Sequence, residues 1–584
     1  MTREQMSQMN NRSGVVRTTC MLGLIGLMAT GCAARQSAAE GPQFPSRTDL
    51  NEIMRRPRSG APREHQKTVA VEEWQPLAAE QQPSSDAEAL LKRVADAKRQ
   101  DLAISPQLSC AAREAAGFFA QHRAWPDQQL EAHIAGVCGA TQLGLGLAVW
   151  AAPLEAIADA AGRSDWYTAI AQQLSESLPL EANVGGAAEI ADSTHGVFVT
   201  ALAIEQITWE KVSTVADAEG RVELAGSVRM PAAFVHGLSN VGAYSVKGCE
   251  SDLQVAAPRF RMTCQLDAND SSAWVSLQVL PPGRVLEHAA ARLLLRREGT
   301  PLTFTAATKN LAPETVTDPR VFTERLIALV NKTRVAARLP TLRLEQRQSV
   351  TSAQLAPHYF QSESPVDGTA DKIALGVMAG WDVPGTIRSG NLFTGSLTGS
   401  RDPRRWLSYT LQQPIARAVL LDPEASSIAI GPVVEQRSDS VAAIVSTYRL
   451  HKSDDHRADV EHFVQRLNKA RSDLGLPPVA VLSAPGVSQA AASVKSSHDP
   501  KDALQDAMET VARGGEPGVQ GFYVEVTDVE HIVFPPALLQ PVVTLAVSAA
   551  HHRYPEAAWG TLTLLVVLVN SPEVTVAGSV PSRG

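Results

Sequence analysis

The chain has 584 residues, of which 44% are apolar and 20% charged, with a formal net charge of −8. That length exceeds what one hydrophobic core supports and predicts three or four units, while the apolar content excludes a largely disordered chain. The acidic balance excludes a general attraction to nucleic acid, so no nucleic-acid partner is expected.

Arg3, Arg12 and Arg17 precede an apolar run over residues 21–28, which stops at Ala29-Thr30-Gly31-Cys32. Crossing a bilayer takes roughly 20 apolar residues, so this run reads as the core of a removable export signal. Small residues just before a cysteine suit a cleavage pocket ahead of a thiol that carries diacylglycerol. Residues 1–31 are therefore expected to leave, with Cys32 becoming the lipid attachment site. Their loss removes Arg3, Arg12, Arg17 and Glu4, a net +2, and takes the charge from −8 to −10. A diacyl group with a further amide-linked chain exceeds the two-signal threshold for stable anchoring. Ala33, where an aspartate argues for inner-membrane retention, favours the outer membrane of a bacterial envelope.

Residues 32–84 are rich in Pro, Gln, Ala, Ser and Arg, as in Arg55-Arg56-Pro57-Arg58, and read as a flexible tether. At about 3.5 Å per residue, its extended reach is well over ~100 Å. Beyond it lie four cysteines, Cys110, Cys138, Cys249 and Cys264. An oxidising compartment points to disulfides, and sequence alone permits three pairings. The local pairing, Cys110 with Cys138 and Cys249 with Cys264, keeps each bridge inside one expected domain, where closure contributes roughly 3 kcal/mol. A zinc site is the rival, and no C-x-x-C spacing supports it.

A sequence repeat organises the remainder. Asn331-Lys332-Thr333-Arg334 matches Asn468-Lys469-Ala470-Arg471, and each is followed by Leu-Pro, at Leu339-Pro340 and Leu476-Pro477. Upstream, Phe322, Leu326, Ile327 and Val330 in one copy, and Val460, Phe463, Val464 and Leu467 in the other, recur at helical spacing. Asp318-Pro319 predicts a helix N-cap and first position. A worn third copy is aligned at Asp96-Ala97-Lys98-Arg99. Between copies, 215–310 alternates in the manner of short strands and is expected to form an immunoglobulin-like β-sandwich. Residues 541–548 and 560–569 also read as strands.

The helix with Asn-x-x-Arg, the Leu-Pro-x-Leu turn and the alanine-rich helix ending in Pro357-His358-Tyr359-Phe360 resemble the CAP superfamily of cysteine-rich secretory, antigen 5 and pathogenesis-related 1 proteins. Trp406, Arg417-Ala418-Val419-Leu420-Leu421 and Ile428-Ala429-Ile430-Gly431 continue the family's order. The resemblance implies an α+β fold: tandem α-β-α sandwich modules at 85–214, 318–452 and 456–575, with the immunoglobulin-like insert at 215–310. Typical members line a cleft with two histidines and two acidic residues, a set able to hold a divalent metal or polarise water. Here Ala416 stands where the histidine of the His-Arg pair falls, and the Gly-Glu-Asn motif survives only as Gly390-Asn391-Leu392. His358 is the remaining cleft candidate, with His122 its counterpart in the first module and none in the third.

A lone imidazole assembles neither a metal site nor an acid–base pair. The resemblance with these losses implies no cofactor and a recognition role: membrane attachment through lipid, with a protein, an envelope polymer or an apolar ligand as partner. The rival is an envelope peptidase or other hydrolase using a rearranged cleft of His358 and a carboxylate such as Glu363 or Asp367. No Gly-x-Ser-x-Gly elbow, His-Glu-x-x-His helix or Walker loop appears. Gly144-Leu145-Gly146 is expected to be a packing or turn segment, and His551-His552 a polar loop between strands.

Overall fold

The computed structural model describes residues 17–21, 44–56, 67–77, 85–284, 286–309, 311–312, 314–361, 368–451, 455–494, 499–514, 518–526, 529–554 and 557–569. Cys32 and the apolar signal core beyond Met21 lie outside these residues; Arg17–Met21 pairs antiparallel with Val519–Val526. The chain divides into two compact units, one built on Thr48–Val377 with Asn391–Thr447, the other on Met378–Gly390 with Tyr448–Gly584. The fold is mixed α+β, and none of its described helices is long and apolar enough to cross a membrane.

The first unit begins its main fold with α1 (Ser85–Ala97), β1 (Ala103–Ile104), α2 (Pro106–His122), α3 (Gln128–Val137), β2 (Gly146–Pro153), α4 (Ala160–Ser177), β3 (Val184–Ala191) and β4 (His195–Ala203). The Ser105 hydroxyl caps α2 by accepting from Leu108 N–H, with Pro106 at the first helical position, where no amide donor is missed. The sheet runs β1-β3-β4-β2, and β1 is parallel to β3. Strand alternation sends Ala187 and Phe198 toward α1 and α4, and Ala188, Val197 and Val199 toward α2, giving an α-β-α sandwich. A Cβ on Gly186 would meet the Ser109 nitrogen at 2.1 Å, so only glycine lets α2 lie this close to β3.

The strands β5 (Ile207–Lys211), β6 (Arg221–Val228), β7 (Phe234–Val241), β8 (Ser245–Gly248), β9 (Glu250–Ser251), β10 (Arg259–Gln265), β11 (Ser272–Leu280) and β12 (His288–Arg296) follow. They form two antiparallel sheets, β9-β10-β6-β5 and β8-β7-β11-β12. Val222, Leu224, Phe260 and Met262 from one sheet and Val275, Leu277, Leu293 and Leu295 from the other share a core. Both disulfides take the local pairing: Cys110–Cys138 ties α2 to the end of α3, and Cys249–Cys264 ties the segment before β9 to β10.

Next come α5 (Pro319–Ala336), β13 (Arg343–Leu344), α6 (Gln346–Gln361), α7 (Thr369–Ala379), β14 (Ile387–Leu397), α8 (Pro403–Thr410), α9 (Pro414–Leu420), β15 (Ser427–Glu435) and β16 (Ser440–Leu450), all of the first unit except their residues at 378–390 and 448–450. Asp318 caps α5 from Arg320 N–H, with Pro319 at the first position. The sheet order is β13-β15-β16-β14, and Trp406 is fully buried against Phe322 and Phe393. The second unit carries α10 (Asp455–Asp473), β17 (Ala480–Val481), α11 (Pro485–Val494), α12 (Pro500–Arg513), β18 (Val519–Val526), β19 (Thr544–His552) and β20 (Thr561–Val569), with sheet order β17-β19-β20-β18 and the Arg17–Met21 strand as a fifth at the β18 edge. Phe522, Val524, Leu564 and Val566 face Phe463 and Leu467 of α10, while Tyr523, Leu565 and Val567 face α11 and α12.

All three α/β sheets therefore connect their strands in one spatial order: first, third, fourth, second. Each also opens on a helix that ends in a left-handed residue, Arg99, Arg338 or Gly475, before its short first strand. Arg334, fully buried, donates from Nε to Pro340 O at 2.7 Å and from its Nη atoms to Leu420, Asp422 and Ala425 carbonyls at 2.8–3.4 Å. Arg471, also fully buried, repeats this with Pro477 O at 2.7 Å and the Leu538, Gln540 and Pro541 carbonyls at 2.6–3.3 Å. Asn331 exchanges two hydrogen bonds with Leu342, and Asn468 accepts from Val479 N–H.

In the first sheet the correspondence does not fall at Asp96-Ala97-Lys98-Arg99. Lys92, not Asp96, reaches the Leu102 carbonyl as Asn331 reaches Leu342, and buried Ala95 occupies the arginine's turn. The sequence match is displaced because the turn after α1 is one residue shorter. A second correction concerns the tether: residues 47–55 form a helix that buries Leu50 and Ile53, and 68–69 and 73–74 are strands paired with Trp125–Pro126 and Phe304–Thr305. Single apolar residues such as Trp74, spaced without period, plug sites made by distant sequence, which no periodicity reveals.

Candidate functional site

In the segment expected as a module at 318–452, α6 carries His358 one residue after Pro357, with an intermediate exposure. The next residue, Tyr359, has its hydroxyl 3.2 Å from Thr394 Oγ1 on β14. Ala416 is fully buried in α9 and belongs to the hydrophobic core with Leu420 and Ile428. Asn391 on β14 reaches Asp422 Oδ2 at 3.4 Å, and Asp422 also accepts from Glu424 N–H, so this carboxylate helps shape the turn that Arg334 clamps. Arg417, which the sequence resemblance aligned with a His-Arg pair, donates to Leu411 O and to the Gly242 and Ser245 carbonyls of the β-sandwich. Glu363 and Asp367 lie outside the described residues.

Among the described residues His358 belongs to no group of three His, Cys, Asp or Glu side chains with converging ligand atoms. His122, at the exposed end of α2, stacks on Phe118 at 4.3 Å. The carboxylates expected beside His358 thus fall outside the described residues, and the described residues add no converging set of three to it.

Two other places concentrate chemistry. The first is an open cavity of about 430 Å³ in the first unit, lined by Glu131, Gly146, Glu181, Ala203 and Thr398 among others. Burial pushes the Glu131 carboxyl up to about 7, against the pull of the Leu145 N–H and the Arg292 guanidinium. Nearby Asp127 is fully buried, caps α3 by accepting from Leu130 N–H and lies 3.2 Å from Arg405; burial raises its affinity for a proton too. A carboxyl half-protonated at neutral pH can exchange hydrogen bonds of either sense with a ligand. Glu131 gave no sequence signal because an acid in the first turn of a helix ordinarily serves the helix dipole.

The second place lies in the second unit, at the end of β19. His551 and His552 are the last two residues of that strand and are 7% and 8% exposed, so the expected polar loop does not form there. Alternation puts them on opposite faces. His551 Nε2 is 2.6 Å from Asp459 Oδ2 in the first turns of α10, and its ring stacks on His451 at 3.9 Å with a 15° interplanar angle. His552 has Glu525 at 3.8 Å and Tyr554 edge-on at 4.6 Å; burial lowers its proton affinity, with Glu525 opposing. His451 was missed because a histidine just past a strand end has no local signature.

No family model matches the sequence, and no curated protein matches it. Among solved structures the chain is similar to a cysteine-rich secretory protein from Staphylococcus aureus, at 11% identity over 42% of this chain and 84% of that one, with a TM-score of 0.18. It is also similar to Na-ASP-1, at 10% identity over 62% of this chain and 88% of that one, with a TM-score of 0.16. A beta-1,2-glucanase from Parabacteroides distasonis gives 8% identity over 32% and 27% of the two chains, and a TM-score of 0.10.

Proposed function

We propose that this chain is a lipid-anchored protein of the bacterial cell envelope, held at the outer membrane through Cys32, whose CAP-like modules bind a partner, an envelope polymer or a lipid without bond-making chemistry. The observation that carries the reading is Ala416: it is fully buried in the apolar core at the position where family members carry a cleft histidine. The most family-like residues, Asn331 and Arg334, spend their polar atoms on backbone groups of the framework. Gly390-Asn391 lacks the motif's glutamate. Framework positions are kept while positions that would face a substrate are lost.

Three tandem modules are supported by the recurring strand order and the two matching arginine clamps. The immunoglobulin-like reading of the insert is supported by strand orders that correspond to A-B-E-D and G-F-C-C′ in that fold's lettering. Its disulfide departs from the family's inter-sheet bridge, since Cys249 precedes the strand in the D position and Cys264 lies on the one in the E position.

Peptide, ester and glycan hydrolysis by the purified chain tests the central claim. Turnover at the background rate, unchanged by His358→Ala, is expected; robust turnover abolished by that substitution overturns it. Fractionation of Cys32→Ser is the separate test of anchoring, with loss of acyl label and release from the membrane expected. Mass spectrometry of co-purified lipid distinguishes an apolar ligand from a protein partner.

A further inference from the structure

We propose that His451, Asp459 and His551 form a binding site for one divalent transition-metal ion of the zinc type, which staples three segments of the second unit together. This goes beyond the recognition reading and does not depend on it, since the site is remote from the His358 helix in sequence and uses none of its residues.

The three side chains come from the residue after β16, the first turns of α10 and the end of β19, and Asp459 and His551 are 92 residues apart in sequence. Their ligand atoms all lie within 4.8 Å of one another, the sole such group of three among the described residues. His551 is buried, and His451 and Asp459 are each partly so. Backbone contacts hold the donors in place: His451 N–H donates to Thr386 O at 3.0 Å, and His551 is fixed in register opposite Leu562.

The donor set suits such an ion. Imidazole nitrogens and one carboxylate are the ligands zinc and its neighbours prefer, whereas calcium and magnesium take oxygen-rich cages. The His451 and His551 rings lie face to face at 3.9 Å, with ring nitrogens of both near the Asp459 carboxylate. Asp459 supplies negative charge 2.6 Å from His551, where the short contact now holds a proton in the place a cation would take.

Tetrahedral coordination at about 2.0–2.1 Å puts ligand atoms about 3.3 Å apart, so no pair need close by more than about 1.5 Å. Side-chain rotation accomplishes this for the partly exposed His451 and Asp459. Because lone pairs lie in the ring planes, the metal draws the two imidazoles out of their parallel stack. Three protein ligands leave a fourth position for water.

The test uses the full chain in detergent, stripped with chelator and titrated with Zn2+ alone. One Zn2+ per chain is expected, with an unfolding midpoint raised by about 5 °C at saturation. Co2+ should give visible d–d bands without thiolate charge transfer. Asp459→Asn and His451→Gln should each weaken Zn2+ binding at least about tenfold with an unchanged circular dichroism spectrum, so the result does not hang on a buried His551→Gln variant folding. His358→Ala should leave binding intact. A wild-type chain that takes up no stoichiometric Zn2+, or uptake indifferent to both Asp459→Asn and His451→Gln, overturns the site. Zinc lost on His358→Ala alone overturns it as well and separately places a metal in the family cleft, against the recognition reading.

Discussion

The sheet of the first α/β layer and the two that follow solve one problem with different chemistry. In each, a loop must be held between the end of a helical segment and the third strand, and backbone amides meet only some of its converging carbonyls, as Ala425 N–H meets Asp422 O and Ala182 N–H meets Pro179 O. Arg334 and Arg471 meet theirs with guanidinium groups that satisfy several carbonyls at once. In the first sheet, Gln100 Nε2 reaches Pro179 O at 2.7 Å and Ala182 O at 2.6 Å, and Lys98 reaches Ser175 O. A planar charged fork serves a converging set of acceptors from a buried position, whereas an amide and an ammonium do so from nearer the surface. The geometry to be held is shared, and the residue that holds it is free to change once a donor approaches from elsewhere.

The largest effect should come from removing a guanidinium. Arg334→Ala or Arg471→Ala leaves buried carbonyls without donors and opens a void, and should cost about 3–5 kcal/mol in chemical denaturation. Arg334→Lys should recover less than half of this, because one ammonium cannot span both Pro340 and Ala425. Equal stability of Arg334→Ala and wild type would break the comparison.

Next comes the bridge that supports the amide-held sheet. Replacing Cys110 and Cys138 together by serine should lower stability by roughly 3 kcal/mol through a freer unfolded chain. Denaturant midpoints under oxidising and reducing conditions check this, with wild type and variant differing when oxidised and converging when both are reduced, since reduction opens Cys249–Cys264 in each.

Glu131 sharpens the contrast between a clamped, fully buried charge and a partly buried one that lines a cavity. Its folded pKa, raised to about 7, exceeds the ordinary value of 4.5, so the folded state holds the proton more tightly. Ionisation therefore subtracts stability progressively from about pH 4.5 to 7, and the loss is complete above that range. Glu131→Gln should be stabilising by roughly 2–3 kcal/mol at pH 8 and close to neutral at pH 4.5. Unfolding midpoints at the two pH values decide it, and a gain that is equal at both would show that burial does not hold the proton.

The smallest change should be Gln100→Ala, about 1 kcal/mol, since water and Lys98 can serve the loop from its exposed side. Hydrogen exchange of the amides at 182–185 should report it. A cost as large as that of Arg334→Ala would mean the two kinds of clamp are equivalent in energy as well as in position.

Much of the local structure was legible. Asp318-Pro319 announced a helix start, Phe322, Leu326 and Val330 announced its buried face, and the four cysteines paired as their spacing favoured. The Asp96 alignment failed because a motif can slide when a turn shortens, while the hydrogen bond it serves cannot. His551-His552 misled because two adjacent polar residues look like a loop, yet on a strand they point to opposite faces and each finds its own buried partner.

By itself the sequence determined the helix caps, the periodic faces and the alternating strands, because all of these follow from residues within a turn or two of one another. Tertiary structure alone decided that Glu131 lines a cavity, that Gln100 replaces a guanidinium and that His451 and Asp459 meet His551. Those outcomes depend on desolvation and on distances between atoms far apart along the chain, and both quantities exist only after the layers have packed.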